Sequence, residues 1–462
     1  MPEAKQMSKL TLISNFCKTS KFYSWAVRLN GHPRFILYAV IFFDLMSSNT
    51  PAFAQPWKES YINSPFAVYW DSVASSADGT KLIAVGNMSP SGASAVFTST
   101  NSGLTWETNN APFAIWTAVA ASADGNNLVM VAATGPILTS TNAGASWIQS
   151  TNAPMLNWSA VASSSNGMKL VVTAINNQPF LFTNGEQYPP SVPIAFSPNG
   201  SIYTSTNAGI TWRSNAVYSG YYVPPIGPGW SCVASSVDGD KLFATAGFEG
   251  IYCSTNGSIW IPLDTPLNYV VSVAASGDGI RLFMTGFDNS GNDIWAVSKD
   301  GGQTWTTNIA PYGSWPLVAS SADGTNILVA DAYAPIYTSN DAGVTWSTND
   351  IPSDSGYGGW STSPLWRAIA SSADGSKLIA IGDWQKIYTW QFQPTLRLTV
   401  SKTNNLISWR NLSLSSGFVL QQNYNLSSND WTDVVSPVTD DGTNFSITLS
   451  TLTNALFFRL KK

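Results

Sequence analysis

Histidine is nearly missing from this chain: His32 is the single one in 462 residues. It lies in an N-terminal stretch that reads as a removable export signal. Without it, no Ser/His/Asp triad, Cys/His pair or His-ligated metal site can be assembled. Charge is also scarce, at 11% of residues against about 25% in an average domain. No phosphate-binding loop, metal-ligand cluster or heptad pattern occurs, so no cofactor or metal is expected. The apolar run Phe35 to Phe43, even extended to Met46 across Asp44, falls short of the about 20 residues that a membrane-spanning helix needs.

The signal reading of residues 1–54 rests on three features. Lys5, Lys9, Lys18, Lys21, Arg28 and Arg34 form a long basic region, the apolar run follows, and Ala52-Phe53-Ala54 is a small-x-small cleavage site before Gln55. The alternative is an uncleaved anchor. Cleavage leaves 16 basic and 25 acidic residues, a net charge of −9, and no transmembrane anchor. The expected location is periplasmic, cell-surface or extracellular. So acidic a chain is a poor partner for a phosphate backbone, which argues against nucleic acid as a ligand.

What the chain has in abundance is repetition. The string Val73-Ala-Ser-Ser-Ala-Asp-Gly79 recurs with its Asp or Asn at Asp78, Asp124, Asn166, Asp238, Asp278, Asp323 and Asp374. A second string follows six of these, as Ser99–Trp106, Ser140–Trp147, Ser205–Trp212, Ser254–Trp260, Ser298–Trp305 and Ser339–Trp346. Each unit parses into four short strands, A to D. Strand A is the Trp-x-x-Val-Ala stretch, an Asp-Gly hairpin leads to B, a variable loop leads to C, and the second string turns the chain into D. Seven such units of about 40–45 residues predict an all-β fold, a seven-bladed β-propeller over residues 55–393. The seventh unit stops at Ile387-Tyr-Thr-Trp390 without its last strand, whereas Trp57-Lys-Glu-Ser-Tyr-Ile-Asn-Ser-Pro65 matches Trp106-Glu-Thr-Asn-Asn-Ala-Pro112. The segment after the cleavage site is therefore expected to close the ring.

The second string resembles the Asp-box of the sialidase-like (BNR) propellers, Ser-x-Asp-x-Gly-x-Thr-Trp, over about 340 residues. Four copies carry Asn (Asn101, Asn142, Asn207, Asn256) and two carry Asp (Asp300, Asp341). An amide replaces a carboxylate only where the group accepts hydrogen bonds rather than supplying charge, so the boxes are expected to be structural.

Loop lengths select the working face. The A-to-B spacing is nine positions in all seven units, and the box spacing is seven positions in five and six in one. The B–C span instead runs from 12 positions to the 35 between Leu170 and Ser205, and the D–A span reaches 21 and 23 against 13 or 14 elsewhere. Insertions confined to one face mark a binding surface. Aromatic residues there are the candidate ligand contacts. They are Trp70, Trp116, Trp158, Trp230, Trp315 and Trp366, three positions before the strand A Val or Ile369, together with Tyr221, Tyr222 and Trp360 from inserted loops. The alternative for the repeated Trp is packing between blades.

Resemblance to sialidases implies an arginine triad, but the propeller has only Arg213, Arg281 and Arg367, and the first two fall near the constant turns. Arg367 alone is placed to reach a central pocket. A glycoside hydrolase of the Asp-box xyloglucanase type needs only two acids about 5–9.5 Å apart. Its candidates are Asp331, Asp383, Asp293 and Glu249, with Asp71, Asp264 and Asp288 beside them. The single propeller is similar to those of the photosystem II stability/assembly factor type, a resemblance that implies binding of polypeptides. Those factors typically carry an arginine-rich patch, and this chain has none. The leading expectation is a secreted, non-enzymatic binding propeller for a polypeptide or glycan. The second is a two-carboxylate glycosidase and the third a structural cell-surface component.

Cys232 and Cys253 fall on strands A and C of one blade, two strand spacings apart, so free buried thiols are expected. Residues 394–462 carry six short alternating segments, a small β-sandwich. With Gly417-Phe-Val-Leu-Gln, Asp430-Trp431 and Phe457-Phe-Arg-Leu460, this part resembles a C-terminal module of secreted bacterial proteins.

Overall fold

The computed structural model describes residues 57–60, 62, 64, 67–89, 93–175, 200–215, 229–309, 316–331, 335–349, 365–382 and 386–391 of the repeat region. It also describes 397–400, 405–410, 419–423, 430–440, 444–449 and 457–461 beyond it, and three short strands before residue 40. The chain divides into two compact units, Phe53–Gln391, and Met1–Ala52 together with Phe392–Lys462.

The first unit is a seven-bladed β-propeller. Every blade is a four-stranded antiparallel sheet in the order A-B-C-D, as in Ala67–Ser75, Leu82–Ser89, Ala93–Ser99 and Glu107–Thr108 of the first. The last blade takes its outer strand from the start of the repeat region. Lys58–Ser60 pairs on Lys386–Gln391, with Glu59 opposite Tyr388. Closure thus follows from the sequence match around Trp57, whose indole is buried like a core residue.

Within blades the B strands are almost wholly apolar, as in Leu128–Ala132, where all five residues are buried. They are covered on both faces by neighbouring blades, which is why they read as continuous runs rather than alternating ones. The A–B turns and the Asp-boxes share one face. Box N–H groups donate to A–B turn carbonyls of the same blade: Ser102 to Thr80, Ala143 to Asn126, Ala208 to Met168, Gly301 to Ile280 and Ala342 to Thr325. The variable B–C and D–A connections therefore occupy the opposite face.

Two sets of links join the blades on the constant face. The residue before each turn Asp donates its N–H to the carbonyl of its counterpart in the next blade: Ala77 to Ala123, then Ser165, Val237, Gly277, Ala322 and Ala373, and from Ala373 back to Ala77, at 2.6–2.8 Å. Side chains add a second set of links at five of the seven blade junctions. Lys81 Nζ donates to the Asp124 carbonyl at 3.0 Å, Asn127 to Asn166 at 3.0 Å, Lys241 to Asp278 at 2.8 Å and Asn326 to Asp374 at 3.4 Å. Lys169 is paired with Asp240.

Cys232 lies opposite Thr245 and Cys253 opposite Phe243 on the intervening strand, and both thiols are free. They are half-buried rather than fully buried. Desolvation raises both thiol pKa values. In the second unit, the sheet Arg397–Val400, Asn405–Arg410, Asn444–Leu449, Thr439–Asp440 and the sheet Thr432–Asp433, Val419–Asn423, Phe457–Lys461 form a small β-sandwich. Ile407, Trp409 and Ile447 of one meet Leu420 and Phe458 of the other in a common core. Residues of the expected export signal form three antiparallel strands, Thr11–Asn15, Ser24–Arg28 and Ile36–Ala39, the last within the apolar run.

Candidate functional site

On the variable face five of the seven A strands begin with an irregularity. The pairing slips by one residue after Trp70, Trp158, Val270 and Trp366, and opposite Trp116. Such a β-bulge leaves one residue out of the ladder. At Trp70 the tyrosine carbonyl before it approaches the opposing strand so closely that a Cβ on Gly86 would lie 2.1 Å from Tyr69 O. Gly286 faces Tyr269 O in the same way, at 1.9 Å. The out-of-ladder residues include Asp71 and Arg367, exposed on the innermost strands of adjacent blades. Asn87 donates to Asp71 at 2.8 Å.

Five of the six repeated Trp residues are core residues rather than surface ligand contacts. Trp70, Trp116, Trp158, Trp230 and Trp366 are 0–5% exposed, which leaves no ring face for a ligand. Each of the first four wedges into the preceding blade: Trp70 against Ile379, Ile381 and Ile387, Trp116 against Ile83 and Val85, Trp158 against Val129 and Val131, Trp230 against Val171 and Ile202. Periodicity identified the position, but it is equally periodic for a surface ring and an interior one. Trp315, Tyr221, Tyr222, Trp360 and Asp383 lie outside the described residues.

The carboxylate candidates fall in different environments. Asp331 is 1% exposed at the end of a B strand in blade six, inside the fold rather than on its surface. Asp288 is folded into its own loop. It accepts the N–H groups of Ser290 and Asn292 and the Asn292 amide, which hold its carboxyl below the usual range, the amide bond foremost. Glu249 and Asp293 are half-buried, and desolvation raises both carboxyl pKa values. They flank an aromatic seam between blades four and five. Phe248 meets Tyr269 edge-on at 4.6 Å, Tyr269 meets Phe287 at 6.0 Å, and Asp293 is the cross-strand partner of Phe287. Burial and Glu249 together push the Tyr252 hydroxyl up to about 12.

Three residues passed over in the sequence are prominent on this face. Phe113, Ile115 and Met155, from the D–A connections entering blades two and three, are 72%, 51% and 61% exposed. Their loops are fixed from below. The Ala114 N–H donates to Ser94 Oγ and the Ser94 hydroxyl to the Ala114 carbonyl, both at 2.7 Å. Ala133 donates to the Ile115 carbonyl and Gly135 to that of Leu156, so one turn of blade two ties both loops together. The available signal was an apolar side chain directly after a loop proline, at Pro112-Phe113 and Pro154-Met155. Among the described residues no group of three or more His, Cys, Asp or Glu side chains is arranged to hold a metal ion.

No family model and no curated protein matches the chain. Among solved structures it is similar to YCF48 bound to D1 peptide, at 17% identity, a TM-score of 0.51 and coverage of 75% of this chain and 100% of that one. YCF48 from Cyanidioschyzon merolae gives 14% identity, a TM-score of 0.50 and 73% and 99% coverage. An ancestral GH74 enzyme gives 16%, 0.51, and 80% and 52%, so this chain spans about half of that enzyme's. These likenesses show the fold, a β-propeller.

Proposed function

We propose that this chain is a non-enzymatic binding propeller that holds a polypeptide on its variable-loop face. The observation that carries this is the apolar trio Phe113, Ile115 and Met155, largely exposed on loops that hydrogen bonds hold in place. Apolar side chains presented on a pre-organised surface gain area on binding without the cost of ordering a loop. A peptide complex of a similar propeller supports the same mode. The reading includes export, and its check is N-terminal sequencing of the protein recovered outside the cytoplasm, expected to begin at Gln55.

The test is a random-peptide display selection on the immobilised protein, run beside a glycan array. Enriched peptides whose affinity falls about tenfold with Phe113→Ser are expected. Binding to glycans alone would overturn the proposal. The second reading, a glycoside hydrolase, draws on the raised carboxyls of Glu249 and Asp293 and on the GH74 neighbour. A hydrolase panel on the purified protein separates the two. Turnover abolished by Glu249→Gln or Asp293→Asn would establish the enzyme.

A further inference from the structure

The two faces of the propeller differ in charge. Fourteen segments join B to C and D to A strands around the variable face. Read along the sequence, they contain eight acidic residues and not one Lys, Arg or His. Seven of the eight follow the B and D strands of blades four to seven in the sequence; of the described ones Asp331 is buried, whereas Glu249, Asp264 and Asp288 reach the surface of blades four and five. The segments 109–115, 133–136 and 150–156, which serve blade two and the entry to blade three, contain no charged residue. That uncharged sector is where Phe113, Ile115 and Met155 stand exposed.

Most described cations are engaged away from these connections, while Arg367 is exposed at the start of the strand Trp366–Ser371. Lys81, Lys169 and Lys241 are engaged with the turn of the next blade on the constant face. Arg281 and Lys377 lie against the turn glycines Gly324 and Gly79. On the variable side Lys386 is paired with Glu59 at 2.6 Å. An anionic ligand would meet repulsion over most of this face, whereas a cationic one is drawn to it.

We propose that the partner is an extended polypeptide segment in which apolar side chains adjoin Lys or Arg and acidic residues are absent. The apolar side chains seat on Phe113, Ile115 and Met155, and the basic ones face Glu249, Asp264 and Asp288 of blades four and five. The thioether of Met155 lets the seat adapt to different apolar shapes. This rests on the polypeptide-binding reading and adds to it the chemistry of the bound segment and its orientation across the face.

Three labelled synthetic peptides of equal length test it by fluorescence anisotropy with the full chain, at about 150 mM salt where distant charges are screened. One alternates Leu and Lys, one Leu and Glu, one Ser and Lys. The Leu/Lys peptide is expected to bind at least tenfold more tightly than either of the others. The double variant Phe113→Ser, Met155→Ser should lose about tenfold for Leu/Lys at unchanged melting temperature, since both side chains are exposed. Glu249→Gln with Asp288→Asn should weaken the same peptide about threefold and flatten its salt dependence. Equal binding of Leu/Glu, or an unaffected double variant, overturns the proposal while leaving polypeptide binding intact. Failure of all three peptides to bind would overturn the underlying reading as well.

Discussion

At the scale of single residues, the Asp-box shows why acid and amide interchange. Asn101 Oδ1 accepts the Thr105 N–H at 2.9 Å, and its amide donates to the Thr105 hydroxyl at 2.8 Å. Asp300 accepts the Thr304 N–H at 2.9 Å, but there the Thr304 hydroxyl donates to the carboxylate at 2.5 Å. The hydroxyl reverses its role, so the full-length box needs an acceptor oxygen rather than a charge, and in the shorter box Asn256 Oδ1 meets that need by accepting the Ser258 and Ile259 N–H groups. Asp300→Asn should therefore leave the melting temperature nearly unchanged, whereas Asn101→Ala should cost about 1–2 kcal/mol in thermal melts. The Thr304 hydroxyl, with its N–H and the Ser298 hydroxyl, holds the Asp300 carboxyl at about 2. The turn carboxylates Asp124, Asp238 and Asp278 are likewise held low, by the Ser hydroxyl two residues back in each case and then by a backbone N–H. A depressed folded pKa favours the fold above the ordinary carboxylate value, and the benefit is lost as pH falls through the folded value. The melting temperature should stay level from pH 8 to 5 and fall as pH drops from about 4 towards 2. The acceptor role was legible in the Asn/Asp mixture alone. The burial of Trp70 was not, since a residue's repeat position does not say which way its ring turns.

At the scale of elements, bulge and belt set the blade's two ends. Gly86 lies opposite the bulge, where any Cβ would strike the Tyr69 carbonyl. Gly86→Ala is expected to destabilise by about 2–4 kcal/mol in chemical denaturation, a backbone clash that no rotamer relieves. On the constant face, the Lys81 stem covers Gly125 of the next blade while its ammonium reaches the Asp124 carbonyl and Asn126. Lys81→Met keeps the stem and should cost under about 0.5 kcal/mol, whereas Lys81→Ala also removes the packing and should cost about 1 kcal/mol or more. Both are measurable by thermal shift. Lysine stands two positions after the turn glycine in four of the seven copies, but the contact spans blades and no local pattern shows it. Strand boundaries were legible where strands alternate or run apolar. The outer strands Glu107–Thr108 and Ile148–Gln149, two residues each, are fixed by the box before them rather than by their own composition. In the sandwich, Thr439–Asp440 went unread for the same reason: two polar residues carry no period.

At the scale of the whole molecule, closure was readable because the missing strand and its surplus copy were both written in the chain. Ser60 of that strand accepts the Trp106 indole at 3.0 Å and donates to the Gly103 carbonyl, fastening blade seven to blade one. Replacing Trp57–Ser60 with Gly and Ser residues should expose the edge of Lys386–Gln391 and lower the melting temperature by several degrees, with dimers or larger species in light scattering. The circle of backbone bonds from Ala77 through Ala373 has a different consequence. A row of stacked repeats can fray from its ends, shedding one unit at a time. A hoop has no end from which to fray. Loosening any one blade slackens the bonds on both sides of it, so the load passes around the circumference to all seven. The protein is then held like a barrel by its band, whole until the band gives way.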